Sequence, residues 1–145
     1  SFVEEEFRAL EGGELVIAMR DWVHDHLRYV PGSSNVMTTA ADTFISRRGI
    51  CRDYAHLLIT LARSAGIPAR IASVYALGVD PPDFHAVAEI FLGGEWHLVD
   101  ATGMAQEAAM AKIGVGRDAA DVAFLTAFGG AQLIDQYVSV EPCLD

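Results

Sequence analysis

Residues 51–66 read CRDYAHLLITLARSAG, and this stretch decides the fold that the sequence predicts. Counted from Tyr54, the apolar positions Leu57, Leu58, Leu61, Ala62 and Ala65 follow the spacing i+3, i+4, i+7, i+8 and i+11, which is typical of a helix with one face on a core. Gly66 is a helix stop signal, and Pro68 prevents the helix from continuing. Because Gly49 allows a sharp turn before the helix, the sequence predicts that Cys51 lies in its first turn.

A cysteine at this position has a plausible chemical role. The first turn of a helix carries unpaired backbone N–H groups and the positive end of the helix dipole, and both favour a thiolate. The same N–H groups can stabilise the oxyanion that forms when a thiolate attacks a carbonyl. Free cysteine is also among the most buried residue types, so the helix alone leaves a structural cysteine open.

Two strand-like runs follow the helix and predict a β-hairpin. They are FHAVAEIFL at residues 84–92 and EWHLVDA at residues 95–101, with Gly93-Gly94 between them. A two-residue Gly-Gly turn pairs Leu92 with Glu95 and sets the register of both strands. Every second side chain of the first run is apolar, so we expect that face to lie on the core.

The other face of this hairpin carries a histidine and an aspartate. In the predicted register His85 and Asp100 are diagonal neighbours, at a separation that their side chains can bridge. Glu89, Phe91 and Trp96 share this more polar face. Taken alone, the pair could be a surface ion pair. Together with the helix cysteine, it matches the arrangement of a thiol acyl-transfer enzyme.

These segments resemble the catalytic blocks of the transglutaminase-like superfamily. The three blocks are TFISRRGICRDYAHLLITLARSAGIPARIASVYA, FHAVAEIF and EWHLVDAT. Bacterial transglutaminase-like proteins described as putative cysteine proteases also share the YVPGSS segment, here residues 29–34, and the GRDxxDV segment, here residues 116–122. The resemblance implies an α+β, papain-like (transglutaminase-core) fold, with the cysteine-bearing helix packed on an antiparallel sheet.

The resemblance also implies roles for three residues. Cys51 would be the nucleophile, His85 the general base and then acid, and Asp100 the group that orients the imidazole. The expected reaction is acyl transfer from a peptide or protein amide through a thioester, without a cofactor or a metal ion. Water as the acceptor makes the protein a peptidase or amidase, which we favour, and a lysine-like amine makes it a transglutaminase. A catalytically inactive module that keeps the fold and binds proteins is the alternative.

Length and composition predict one catalytic domain over residues 1–145. This length can bury a single core, and 52% of the residues are apolar. The net charge of −10, without a Lys/Arg run, argues against a nucleic-acid partner. No apolar stretch approaches the ~20 residues of a membrane-spanning helix. The sequence does not predict an oligomeric state.

The termini and the cysteines give weaker indications. Cys51 and Cys143 are expected to be free thiols, because a bridge between them would remove the nucleophile. No signal peptide is visible, so our provisional expectation is the cytoplasm. The chain begins at Ser1 without an initiator Met, and it could be a piece of a longer protein with a β-rich domain upstream, as in bacterial relatives.

Other segments have simpler predictions. A first helix is expected over 14–27, a short helix after a Thr39/Asp42 capping box, and a strand over 70–77. Residues 103–112 are expected to form a helix or a flap, and 137–140 a closing strand. Arg117, Asp118 and Asp121 are expected to form a structural charge network or the rim of the active site rather than to be catalytic. His56 and His97 are expected to be ordinary surface or packed histidines. No metal site is expected at His24 and His26, because residues two apart on a helix do not face each other.

Overall fold

The computed structural model describes residues 1–123 and 127–143. Its helices are α1 (Phe2–Glu6), α2 (Gly12–His26), α3 (Ala40–Ser46) and α4 (Cys51–Ser64). Its strands are β1 (Arg28–Tyr29), β2 (Arg48–Gly49), β3 (Ala69–Ala76), β4 (His85–Leu92), β5 (Glu95–Val99) and β6 (Met110–Gly116). The last four form an antiparallel sheet in the order β5-β4-β3-β6, and β1 pairs with β2 in parallel.

Helix α4 packs on one face of the four-stranded sheet, as the sequence predicts. Its Leu57, Leu58 and Leu61 are buried in one cluster with Ile71 of β3 and Ile90 of β4. Each such side chain contributes about 1.5–3 kcal/mol when it leaves water, so this seam holds α4 against the sheet. The predicted α+β, transglutaminase-core architecture is therefore confirmed.

The hairpin has the predicted turn and register. Leu92 pairs with Glu95 across Gly93 and Gly94, whose φ angles are +59° and +83°. Two positive φ angles define a type I′ turn, which glycine adopts without steric cost. The β4–β5 ladder ends at Val99, so the pairing predicted beyond that residue is replaced by a turn that begins at Asp100.

The sheet face away from α4 is more buried than the sequence suggested. Val87 packs there in a second cluster with Ala72, Val74 and Ala76. On the same face Glu89 is also buried, and its carboxylate accepts from Arg70 Nε at 2.7 Å and from Lys112 Nζ at 2.8 Å. Two cations compensate the buried charge, and they hold the pKa of Glu89 below its ordinary value although burial opposes this.

Three helix and strand predictions are confirmed, and two are wrong. Helix α2, helix α3 with its Thr39/Asp42 capping box, and strand β3 lie where expected. Residues 103–112 form turns, one 3-10 turn (Glu107–Ala109) and the start of β6, because β3 offers a free edge to which β6 bonds. Residues 137–140 are not a strand. In the part of the chain that the structure describes, no helix is long and apolar enough to cross a membrane.

Candidate active site

Cys51 is the first residue of α4, and the chain reaches it through the short strand β2. Gly49 of β2 pairs with Tyr29 of β1, and Val30 donates its N–H to the Gly49 carbonyl at 3.0 Å. A Cβ at Gly49 would lie 2.5 Å from Cβ of Asp53, so only glycine fits at this approach to the helix. The Cys51 side chain is partly exposed and its thiol is free.

Asp53 fixes the start of the helix from inside. Its carboxylate is fully buried and accepts from the Ile50 N–H at 2.8 Å and from Ser34 Oγ at 2.5 Å. Isoleucine has no side-chain acceptor, so this is half of a capping box. Arg52 donates to Ser34 Oγ at 3.2 Å and to the Asn35 carbonyl. The loop that follows Tyr29 is thereby tied to the first turn of α4.

His85 and Asp100 meet as the hairpin register predicts. His85 Nε2 lies 2.8 Å from Asp100 Oδ2, and each side chain is only 1% exposed. Such burial rules out a surface ion pair. Asp100 Oδ1 also accepts from the Thr102 N–H at 3.0 Å and the Thr102 hydroxyl at 2.7 Å, while Oδ2 accepts from the Ala105 N–H at 3.1 Å. The turn after β5 therefore encloses the carboxylate.

This geometry favours a charged imidazole. Burial alone lowers the pKa of His85, but hydrogen bonds to Asp100 and Cys51, and the charges of those two groups, raise it to about 9. Burial also opposes the charge of Asp100, yet the bond from His85 and the two bonds from Thr102 hold the pKa of Asp100 below its ordinary value. Each partner thus stabilises the charged form of the other.

The Cys51 side chain lies within hydrogen-bonding reach of His85. Since Nε2 is bonded to Asp100, Nδ1 is the nitrogen left for the thiol. The structure therefore brings together the three residues that the sequence singled out. It connects them in the order thiol, imidazole, carboxylate.

Tyr29 is a neighbour of the thiol that sequence reasoning missed. Its hydroxyl is within hydrogen-bonding reach of both the backbone N–H and the side chain of Cys51. Burial and the charge of Cys51 raise the pKa of Tyr29 to about 12, so the phenol keeps its proton. The ring packs edge-on against Tyr54 of α4, with 5.8 Å between ring centroids. Tyr29 lies close to the thiol because β1 pairs with β2 at Tyr29 and Gly49. Strands of two residues show no periodic pattern, so the sequence does not indicate this pairing.

The other polar candidates lie in structural contacts. Arg117 forms a two-pronged ion pair with Asp121, and the Asp118 carboxylate accepts from the Ala120 N–H. His56 Nε2 accepts from the Ala119 N–H at 3.1 Å and thereby holds this segment on α4. The prediction of a structural network around residues 117–121 is therefore confirmed.

The remaining histidines and the second cysteine also lie outside the triad. The Nδ1 atoms of His24 and His26 contact the carbonyls of Ala101 and Trp22 respectively. His97 lies 3.5 Å from Glu107. Cys143 is exposed and free. Within residues 1–123 and 127–143, no group of three or more His, Cys, Asp or Glu residues could hold a metal ion.

Comparisons with known proteins agree with this geometry. The family model of the transglutaminase-like superfamily matches residues 5–101. An uncharacterized protein of Mycobacterium leprae is 32% identical over 140 residues, which cover 90% of this chain and 50% of that protein. An uncharacterized protein of Mycobacterium tuberculosis is 34% identical over 71 residues, covering 47% of this chain and 22% of that protein.

Among solved structures, a putative cysteine protease from Cytophaga hutchinsonii superposes with a TM-score of 0.90 at 42% identity. The match covers 95% of this chain and 48% of that chain. A structure described as a TGase has a TM-score of 0.56 at 20% identity, over 70% of this chain and 30% of that chain, and so supports the fold alone. The chain spans about half the length of the first relatives that it matches.

Proposed function

This chain belongs to the transglutaminase-like superfamily, and we therefore propose that it catalyses thiol-dependent acyl transfer on peptide or protein amides. The observation that carries the proposal is the buried His85–Asp100 pair with the Cys51 thiol within hydrogen-bonding reach of His85. A nucleophile beside a base, with the base oriented by a third group, is the general arrangement of covalent acyl-transfer catalysis.

The first step is attack on the amide carbonyl. In the resting pair the Cys51 proton already lies on Nδ1 of His85, so the thiolate sulfur forms a bond to the carbonyl carbon while the C=O π electron pair moves to the oxygen. His85 carries a positive charge that Asp100 stabilises at 2.8 Å. The His85 pKa of about 9 supports its role as the acid of the later step, because the imidazolium persists at neutral pH.

The oxyanion of the tetrahedral intermediate needs donors beside the thiol. The backbone N–H of Cys51 is one, since the first N–H groups of a helix have no partner within the helix. We assign Tyr29 as the second donor, because its hydroxyl lies within hydrogen-bonding reach of this N–H and of the thiol. A carbonyl oxygen that takes the N–H would displace the phenol oxygen and leave its O–H free to donate.

The intermediate then collapses with loss of the amine. The C–N bond breaks, the leaving nitrogen takes the proton from His85 Nδ1, and the acyl group stays on Cys51 as a thioester. Water attacks the thioester while His85 takes a proton from it, which releases a carboxylic acid and the free thiol. We favour water over an amine acceptor, because the relative at 42% identity is described as a putative cysteine protease.

Two cysteine variants test the proposal. The native protein is first screened against peptide libraries with and without an amine acceptor, and each cysteine is then labelled with iodoacetamide between pH 6 and 8. We expect Cys51→Ala to abolish turnover and to keep the fold, because the change is small and lies at a helix end. Cys143→Ala is the matched control and should leave turnover unchanged, since this thiol is exposed and outside the site.

Two outcomes would contradict the proposal, and a third would change only the acceptor. Wild-type turnover in Cys51→Ala would exclude this nucleophile. Alkylation of Cys51 no faster than alkylation of Cys143 at pH 7 would favour an inactive binding module. Release of an amine together with incorporation of the added acceptor, in place of hydrolysis, would keep the triad but change the product to that of a transglutaminase.

A further inference from the structure

Strand β5 forms one edge of the sheet, and its outward side presents free backbone groups. In an antiparallel ladder hydrogen-bonded pairs alternate with non-bonded pairs. The type I′ turn makes Leu92–Glu95 a bonded pair, so Phe91–Trp96 is a non-bonded one. The Phe91 N–H bears this out, because it donates to the Pro68 carbonyl at 2.9 Å and not to β5.

The same alternation fixes where the groups of β5 point. The N–H and C=O of Trp96 and, two residues on, of Leu98 are directed away from β4. Within the described ranges, 1–123 and 127–143, no backbone group bonds to them on that outward side. This edge is thus open to another strand.

A cavity of about 420 Å³ lies against this edge. One side consists of His97, Leu98 and Val99 of β5 and of Asp100 and Ala101 in the turn that follows, so side chains from both strand faces border the space. Helix α2 forms the opposite wall with Arg20, Asp21 and His24, and the 103–107 turn closes one end. Strand β5 as a whole has five residues and spans about 13 Å at ~3.3 Å per residue, which matches a short extended peptide.

The charged groups of the groove favour a basic occupant. The side chains of Asp21 and Glu107 line the space and are 55% and 54% exposed. Arg20 is the only Lys or Arg side chain in the described lining, and it bonds the neighbouring Asp21 at 2.8 Å. The lining therefore keeps an excess of negative charge on a chain whose net charge is −10.

We propose that this groove is a docking site for an extended, lysine- or arginine-bearing segment of a partner polypeptide, which adds as a strand to the free edge of β5. Backbone bonds to Trp96 and Leu98 would supply the pairing, and the carboxylates of Asp21 and Glu107 would select basic side chains. Neither Cys51 nor His85 lines the groove. The groove adjoins the acyl-transfer site at Asp100, whose buried side chain borders it, but docking there does not require the proposed reaction.

The test uses a defined peptide and residue-resolved hydrogen exchange. The probe is acetyl-Val-Lys-Val-Lys-Val-Lys-amide, added to the full chain as Cys51→Ala so that the peptide is not consumed. We expect the Leu98 amide to exchange at least tenfold more slowly in saturating peptide. Two further peptides keep the charge but lack every second backbone N–H group. One is N-methylated at the three valines, and the other is N-methylated at the three lysines. At least one of them should lose this protection.

Charge variants provide the second arm. We expect the double variant Asp21→Asn/Glu107→Gln to weaken binding at least fivefold. The matched control is Asp135→Asn/Glu141→Gln, which removes two exposed charges outside the groove and should bind as the parent does.

Several results would overturn the proposal. The first is a Leu98 amide that stays unprotected at millimolar peptide. The second is equal protection by the parent peptide and by both methylated peptides. The third is an equal loss of binding in the two double variants. Protection that rises with protein concentration in the absence of peptide would instead identify a second copy of the chain as the occupant.

Discussion

Replacing Asp100 with asparagine separates its orienting role from its structural role. Asp100 Oδ1 accepts two bonds from Thr102, and Oδ2 accepts from His85 Nε2 and the Ala105 N–H. If the asparagine oxygen keeps the Thr102 bonds, its NH₂ group faces His85 Nε2–H and the Ala105 N–H, which are both donors. The favourable response is for Nε2 to lose its proton and accept, which leaves the proton on Nδ1, facing Cys51. An imidazole in that tautomer cannot take the thiol proton.

The magnitude of the loss has two parts. The rise of the His85 pKa from 6.5 to about 9 corresponds to roughly 3 kcal/mol in favour of the imidazolium, at 1.36 kcal/mol per pKa unit. Asp100 and Cys51 share this effect, so removal of the carboxylate charge destabilises the imidazolium by about 2 kcal/mol, which corresponds to a ~30-fold loss of turnover. The tautomer change adds to this, and about 10⁴-fold is lost in the corresponding serine-protease variant. We expect turnover to fall by roughly 10- to 10⁴-fold.

Two measurements follow the variant in parallel. Turnover of a peptide amide reports the whole reaction, and the rate of iodoacetamide alkylation against pH reports how readily the thiolate forms. In Asp100→Asn alkylation should slow near pH 7 and recover at high pH, where the thiol ionises without help from the imidazole. Asp121→Asn is the matched control, because Asp121 also accepts backbone and side-chain bonds but lies outside the triad. Circular dichroism checks that both variants are folded.

Unchanged turnover together with an unchanged alkylation profile would refute this reasoning. Asp100 would then only hold the turn after β5, and the catalytic unit would be a Cys-His dyad. A variant that unfolds would be replaced by Thr102→Val, which removes one of the four bonds to the carboxylate and leaves its charge in place. That variant should keep most of its turnover if the carboxylate charge, and not the turn, supports catalysis.

Three further predictions concern the surroundings of the triad. Tyr29→Phe should lower acylation by about 10²- to 10³-fold, as for loss of one oxyanion donor, yet leave alkylation of the thiol unchanged because alkylation builds no oxyanion; equal effects on both rates would contradict the role. Gly49→Ala should destabilise the fold by about 1–3 kcal/mol in denaturant melts, because its Cβ would lie 2.5 Å from Cβ of Asp53. Burial, followed by the charge of Arg52, lowers the pKa of His56, so its stabilising effect is present above pH 6.5 and is lost as the pH falls through the lower folded-state value. Melting temperatures at pH 7.5 and 5.5 should therefore differ more in the wild type than in His56→Gln.

Much of the site could be predicted because its determinants are local. The type I′ turn fixes the register of the hairpin, and side chains alternate between the two sheet faces. This alternation alone places His85 and Asp100 on one face. Helical periodicity likewise places Cys51 at the start of α4. The alternation does not predict that the pairing of β4 with β5 ends at Val99. There the chain turns and encloses Asp100 with bonds from Thr102 and Ala105.

The failures share a dependence on distant partners. Residues 103–112 are rich in helix-favouring alanine and methionine, yet residues 110–112 begin β6 because the edge of β3 is available. Glu89 was expected on a polar face, and it is buried because Arg70 and Lys112 come from two other strands. Tyr29 depends on two-residue strands that no periodic pattern marks.

The charge group around Glu89 also has an evolutionary consequence. Loss of Glu89 alone would bring two cations together without their shared counter-ion, and loss of both cations would leave a buried charge unpaired, at a cost of about 3–5 kcal/mol. Single substitutions at these positions should therefore be poorly tolerated, whereas a joint change to apolar residues should cost little. Among homologues that differ here, we expect Glu89, Arg70 and Lys112 to covary across β4, β3 and β6, so that three strands distant in sequence change as one unit.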